Sequence, residues 1–249
     1  MNKYFNIYLE FDRNKVDSTV HEAINKKEKS YICVVDGNVL ATAHKNDFYR
    51  AIINGALVNL CDGSSIAMLA GKIHKKDFTT YTGPEFFTNF VKANVKQYFL
   101  GNTAENLEKL KVYFLDSGYD MNQFKFEPLP FKNVQDFNYK AIAQDINGFS
   151  PDLIWISLGA PKQEVFISKL YPYIDSGILV AIGAAFNLFL GDTDNKRAPE
   201  LVRNLHLEWL YRVLQEPKRV GKRALNYFLL LPRLVLEELK QVRNNKIDK

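Results

Sequence analysis

Five times along the chain an apolar run stops at a glycine accompanied by a carboxylate, a carboxamide or a hydroxyl. Ser30 to Val35 ends in Asp36-Gly37-Asn38, Ala56 to Cys61 in Asp62-Gly63-Ser64-Ser65, and Lys96 to Leu100 in Gly101-Asn102-Thr103. Leu153 to Leu158 leads into Gly159-Ala160-Pro161-Lys162-Gln163-Glu164, and Ile178 to Ile182 into Gly183, with Asn187 a turn further on. Such side chains can accept or orient a hydroxyl proton, and glycine lets the backbone come close to a ligand. Each also has a plainer reading as a turn or helix cap. Asp62 is the most informative, because it stands where a strand hands over to a helix while Ser64 and Ser65 are available to cap that helix.

These groups need strands ending on one edge to bring them together. The runs at 153–158 and 178–182 are short, apolar and bounded by glycine, as expected of strands buried on both faces. Lys162 to Tyr171 between them has helix length and is opened by Pro161, so the three form a right-handed βαβ unit. Strands and helices alternate from residue 30 to 190, predicting an α/β, Rossmann-like, mostly parallel sheet flanked by helices, with ligands at the carboxyl ends of its strands. Residues 3–10 read as a first strand and 15–27 as a helix with Asp17 and Ser18 near its start. Further helices are expected over 46–54, 64–70, 84–93, 104–116 and 139–147, and residues 118–131 read as loop.

At 249 residues, 47% apolar and 24% charged, the chain is an ordinary globular sequence able to bury a sizeable core. Cys33 and Cys61 lie inside apolar runs, which predicts buried thiols and not a disulfide framework. No apolar run reaches the ~18 residues of a spanning helix. The start lacks signal-peptide features, so a soluble or peripheral cytoplasmic protein is expected.

Charge is uneven. Residues 196–249 carry 13 Lys+Arg and 6 Asp+Glu, leaving 20 (33 − 13) against 22 (28 − 6) for the rest. The expected division is a catalytic α/β domain over 1–195 and a basic helical appendage over 196–249. The appendage sets Arg219, Lys222 and Arg223 on one helical face beside Tyr227-Phe228-Leu229-Leu230-Leu231. That pattern suits an anionic membrane surface and equally a helix packing its leucines on the body. Gly-x-Gly-x-x-Gly, Walker A and Gly-x-Ser-x-Gly patterns are absent, and the four histidines lack metal spacing. Asp192-Thr193-Asp194 has an Asp-x-Asp form, but no metal or other cofactor is expected. Nucleic acid is not an expected partner, since the basic tail carries interleaved leucines and no recognition motif.

Taken together, the sequence resembles the WecG/TagA/CpsF glycosyltransferase family. The likeness is densest in Pro151-Asp152-Leu153, Gly159-Ala160-Pro161-Lys162-Gln163-Glu164 and Gly183-Ala184-Ala185-Phe186. It continues through Arg197-Ala198-Pro199, Leu207-Glu208-Trp209-Leu210-Tyr211-Arg212 and Glu216-Pro217-Lys218-Arg219, with Asp62-Gly63 matching an early Asp-Gly. The resemblance implies inverting transfer of a hexose, N-acetylhexosamine or uronic acid from a UDP-sugar to a polyprenyl-diphosphate-linked sugar, in surface-polysaccharide or teichoic acid assembly. It implies Asp62 as catalytic base and Gln163 as a catalytic amide orienting a sugar hydroxyl. Asp36, Asn38, Gly63, Gly83, Glu85, Gly101, Asn102, Gly159, Ala160, Gly183 and Asn187 are then expected to bind substrate. Arg197, Arg212, Arg219 and Arg223 would hold the diphosphate and acceptor at the inner face of the plasma membrane. A homo-oligomer is compatible with this reading, and so is a non-catalytic member that binds nucleotide sugar or acts as a scaffold. The chain departs from the family pattern at Val34-Val35-Asp36, where Thr-x-Asn is typical, and at Thr80, where arginine is common.

Overall fold

Strands form where β-branched and aromatic residues cluster, and the turns between them fall at glycine and Asx residues. In the computed structural model, residues 2–190, 199, 202, 208–215, 217 and 221–247 are described. The chain opens with an antiparallel hairpin of β1 (Asn2–Tyr4) and β2 (Ile7–Leu9). Six further strands are β3 (Ser30–Val35), β4 (Val58–Cys61), β5 (Gln97–Gly101), β6 (Phe124–Glu127), β7 (Leu153–Ser157) and β8 (Ile178–Ala181). They form one sheet in the order β4-β3-β8-β7-β5-β6, with every pairing parallel. The α/β fold expected from the alternating pattern is the one observed.

The helices on the sheet are α1 (Arg13–Asn25), α2 (Gly37–Lys45), α3 (Asp47–Asn54), α4 (Ser64–His74), α5 (Gly83–Phe90), α6 (Ala104–Asp116), α7 (Tyr139–Phe149), α8 (Lys162–Leu170) and α9 (Ala185–Leu190). Strand alternation divides them between two faces. Ile32 and Val34 of β3 point into a core with Phe86, Phe87, Phe114, Trp155 and Phe186, covered by α1, α5, α6 and α9. Cys33 and Val35 point the other way, toward α2, α3 and α4, and Ile154 and Ile156 of β7 toward α7 and α8. Both cysteines are fully buried and unpaired, as expected.

Several local expectations are corrected. The first strand is a hairpin, because Phe5 and Asn6 take positive φ and reverse the chain. The first helix begins two residues before Lys15, capped by Asp12, whose side chain accepts from the Asn14 and Lys15 N–H groups. Asp36-Gly37-Asn38 opens a helix, α2, absent from the sequence reading, and residues 124–127 form an edge strand where a loop was expected.

Beyond the body, α10 (Glu208–Gln215) and α11 (Lys222–Ile247) are described, and α11 runs through Pro232. Of the two readings of the basic segment, packing on the body holds for one face of α11. Tyr227 and Leu234 join the core under α2 and α4. The Tyr227 ring lies on Gly37, where an added Cβ would come within 2.9 Å of Cγ, and its hydroxyl is 3.1 Å from Ser65 Oγ. Glu238, 1% exposed, accepts from the Phe5 N–H at 2.6 Å and pairs with His74 Nε2 at 2.7 Å. The opposite face carries Leu225, Leu229, Leu236 and Leu239, all exposed. Their spacing of four, seven and three residues, one or two helical turns each, draws an apolar stripe along the outside of the helix. Among the described residues no helix is long and apolar enough to cross a membrane.

Removing the aromatic peg should loosen this attachment. Tyr227→Ala is expected to lower stability by about 3 kcal/mol in urea unfolding and to raise amide exchange across α11. A loss below about 1 kcal/mol would show that the helix is held mainly elsewhere.

Candidate active site

In this sheet β3 and β8 are neighbours, yet the chain leaves them toward opposite faces. α2 after β3 packs into the core with Val39 and Leu40, and α9 after β8 packs into the other core with Phe186. Such a reversal opens a crevice at the carboxyl edge, the usual ligand position in open α/β sheets.

On one side of the crevice the sequence-derived residues join in one hydrogen-bond network. Asn102, in the left-handed region at φ 67°, donates through Nδ2 to Ser157 Oγ (3.2 Å) and Asn187 Oδ1 (2.7 Å). Ser157 Oγ donates to the Gly183 carbonyl at 2.5 Å. Gln163 Oε1 accepts from the Gly183 N–H at 2.9 Å and the Gly159 N–H at 3.1 Å. Gly101, at φ 89°, is required because a Cβ there would meet the Ser157 carbonyl at 2.9 Å. Gly159, at φ 75°, has open space where its Cβ would be, so its backbone is approachable from outside. Ala160 follows, joined to Pro161 by a cis peptide, and packs under the α2–α4 core.

The other side is built on β3 and β4. Asp62 follows β4 directly and its N–H donates to the Val35 carbonyl. The N-cap of α4 is Gly63, without a side-chain cap bond, and Ser64 and Ser65 lie inside the first turn. Asp62 Oδ2 accepts from the N–H of Gly83, the first residue of α5, at 3.4 Å. Gly83 lies over the ends of β3 and β8, its Cβ position 3.5 Å from Val34 Cγ1 and 3.7 Å from the Ile182 carbonyl. Asp62 thus stands at the crevice rim. Asp36 is exposed and caps α2 by accepting from the Val39 N–H, and Asn38 occupies the first turn of that helix. Glu85 forms a capping box with Thr82 and is 3.2 Å from Arg13 Nη2.

Sequence reasoning gave no role to the group that holds Gln163 in place. Glu164 is fully buried, with Oε1 accepting from Gln163 Nε2 and Oε2 from the Tyr49 hydroxyl, both at 2.9 Å. This bond fixes the orientation of the Gln163 amide, so that its oxygen faces the two glycine N–H groups. Burial pushes the Glu164 carboxyl up to about 7, and the charge of Asp36 adds to the rise, against the pull of hydrogen bonds from Gln163, backbone and Tyr49. The available signal was a second polar residue beside Gln163 on a helix otherwise facing the core. Ser157 was missed as well, though it is a hydroxyl closing an apolar strand.

Of the four arginines expected at the diphosphate, Arg223 is exposed near the start of α11. Arg197 and Arg219, the Arg212 side chain, and Asp192 with Asp194 lie outside the described residues. Among the described residues no three His, Cys, Asp or Glu side chains converge on one point.

A parallel α/β sheet with a carboxylate at its switch-point crevice, opposite an amide-tied pair of glycine turns, defines a Rossmann-like enzyme body. The chain belongs to the glycosyl transferase WecG/TagA/CpsF family, whose profile matches residues 6–245. It is a glycosyltransferase. A relative from Bacillus spizizenii is 28% identical over 247 residues, covering 92% of this chain and 89% of its own length. One from Staphylococcus aureus strain MW2 is 27% identical over 196 residues, covering 77% and 74%. Both are named N-acetylglucosaminyldiphosphoundecaprenol N-acetyl-beta-D-mannosaminyltransferase.

The raised carboxyl of Glu164 sets a pH dependence. From its ordinary value of 4.5 up to about 7 the unfolded chain releases this proton while the folded one keeps it, so stability falls as pH rises through that window and then levels off. Glu164→Gln cannot titrate and removes this contribution. The stability difference between variant and wild type should shift in the variant's favour by on the order of 3 kcal/mol from one end of the window to the other, read from urea unfolding. A difference that stays flat with pH would show that Glu164 does not titrate there.

Proposed function

We propose that the protein moves a sugar from a UDP-sugar to a polyprenyl-diphosphate-linked sugar, inverting the anomeric carbon, in assembly of a bacterial surface polysaccharide or teichoic acid. Both relatives' names support a finer reading, in which N-acetylmannosamine is transferred to N-acetylglucosaminyl-diphosphoundecaprenol. The observation that carries the proposal is Asp62, whose carboxylate stands at the crevice rim on the Gly83 N–H.

In this mechanism the Asp62 carboxylate takes the proton of the acceptor hydroxyl as its oxygen attacks the anomeric carbon. The bond from that carbon to the UDP oxygen breaks, and UDP departs with the electron pair. Backbone N–H groups and cations must already face the developing charge, because preorganised dipoles stabilise it more than reorienting water does. Gln163, 3% exposed, acts by holding the Gly159 and Gly183 turns at the donor. Asn102 and Asn187 line the same side, while Asp36, Asn38, Gly63 and Gly101 shape the turns around it. Arg197, Arg212, Arg219 and Arg223 supply the countercharge for the leaving diphosphate, so the reaction needs no divalent cation. The outer leucine stripe of α11, flanked by Lys240 and Arg243, rests on the anionic inner face of the plasma membrane.

Asp62→Asn should lower UDP release with the lipid-linked acceptor by about 10²- to 10⁴-fold, with an unchanged thermal unfolding profile. Turnover at the wild-type rate would remove Asp62 from the chemistry. Replacing Leu225, Leu229 and Leu236 together by serine should weaken co-sedimentation with anionic vesicles about tenfold or more. Full retention would take the membrane away from this face.

A further inference from the structure

A groove of about 720 Å³ runs along a face of α4 that the crevice does not use. Ser64, Thr80 and Arg13, which donates to the Thr80 carbonyl, belong to one end and Lys72, Lys75 and Lys76 to the other, and Met68 and Phe78 line it as well. The volume lies in the range of ~300–1,000 Å³ found for small-molecule sites. Its charge is lopsided: three lysines meet one carboxylate, Asp77, and the fourth cation, Arg13, is paired with Glu85. The three lysines are exposed, and among the described residues none has an ion-pair partner. The rest of residues 1–195 is net acidic, so the cluster stands out against its own background. Met68, 41% exposed, and Phe78 give the same groove apolar surface. The ligand chemistry is that of an anion carrying a hydrocarbon.

The near end opens beside the proposed base. Ser64 is two residues after Asp62, and Thr80 is three before Gly83, whose N–H meets the Asp62 carboxylate. β4 is the edge strand, one place out from the β3–β8 crevice, and α4 leads from it along the groove, so a donor in the crevice and an acceptor in the groove would approach Asp62 from different directions. Inverting displacement demands that geometry, because the attacking oxygen and the leaving group occupy opposite faces of the anomeric carbon. With the donor in the crevice, the acceptor must come from the other side. Along α4 the rise from Ser64 to Lys72 is ~12 Å, a span that one sugar ring, its diphosphate and a lysine side chain can bridge.

We propose that this groove binds the diphosphate and first isoprenoid unit of the lipid-linked acceptor. Lys72, Lys75 and Lys76 neutralise the phosphates, and Met68 and Phe78 pack on the hydrocarbon. This assignment rests on the transfer reaction proposed above.

The test is the triple variant Lys72→Ala, Lys75→Ala, Lys76→Ala in the full chain. The acceptor KM should rise about tenfold or more, while the UDP-sugar KM, kcat at saturating acceptor and co-sedimentation with anionic vesicles stay at wild-type values. An unchanged acceptor KM overturns the proposal. So does a rise in donor KM alone, which would give the groove to UDP, or a parallel loss of vesicle binding, which would give it to phospholipid headgroups. If the wild type itself transfers nothing, the reaction reading fails separately, and the groove is then judged by calorimetry with farnesyl diphosphate. Binding that weakens about tenfold or more in the triple variant sustains the groove, and equal or absent binding refutes it.

Discussion

One carboxamide ties together the edge of the sheet where the ligands would meet. Gln163 Oε1 uses its two lone pairs on the N–H groups of Gly159 and Gly183, which follow adjacent strands and both take positive φ. Neither turn can close on its own, since a left-handed glycine carries little conformational bias. A carboxylate in place of this amide could accept the same bonds but would bring a second charge against buried Glu164. A shorter amide would reach neither turn from the first turn of α8. The pairing of Gln163 with Glu164 therefore follows from the geometry: one residue bridges the turns and the next prevents the bridge from flipping. Tyr49 extends the constraint to α3, so an element distant in sequence helps to set the donor side.

The same edge is coupled to the chain's far end. Tyr227 lies on Gly37, next to Asp36, and reaches Ser65, three residues after Asp62. Both carboxylate-bearing turns of β3 and β4 therefore feel the seating of α11. Glu238 fastens the helix again, to the hairpin and to α4. Because α11 has an outer apolar stripe as well as a buried one, whatever presses on the outside acts on a helix already wedged against the site. A side chain at Gly37 would separate the two, since its Cβ would stand 2.9 Å from the ring.

The long, strongly patterned parts of the fold were legible in the sequence. β7, α8 and β8 lie where the apolar runs and Pro161 put them, and α6 covers the expected residues 104–116. What failed was local. Asp36-Gly37-Asn38 reads as a turn because glycine and asparagine are poor helix formers, yet capping by Asp36 and the packing of Val39 and Leu40 override that preference. β6 escaped because Phe-Lys-Phe-Glu is only four residues long, an edge strand supported by pairing with β5. Among candidate site residues, the network of Asn102, Gly159, Gln163, Gly183 and Asn187 could be anticipated from strand ends alone. Glu164, Ser157 and Tyr227 could not, since their positions depend on partners 26 to 162 residues away, save for the bond between Glu164 and its neighbour Gln163.

Placing a carboxylate base between two diphosphate esters raises an electrostatic problem that bulk salt does not solve. In the proposed reaction each substrate would bring negative charge close to Asp62, and charges within about 8 Å, the screening length at physiological ionic strength, are little screened. Cations must therefore belong to the site. The body as a whole has none to spare, being slightly acidic over residues 1–195. Its exceptions are the lysines at the end of α4 and the basic C-terminal segment. Two separate sources are what an inverting transfer calls for. The leaving diphosphate gathers charge during the reaction, whereas the acceptor diphosphate carries a constant charge and needs only to be positioned. In the proposed reaction the arginines of the basic C-terminal segment would meet the first demand. Lysines fixed along α4 suit the second, because they hold the acceptor without changing during the step.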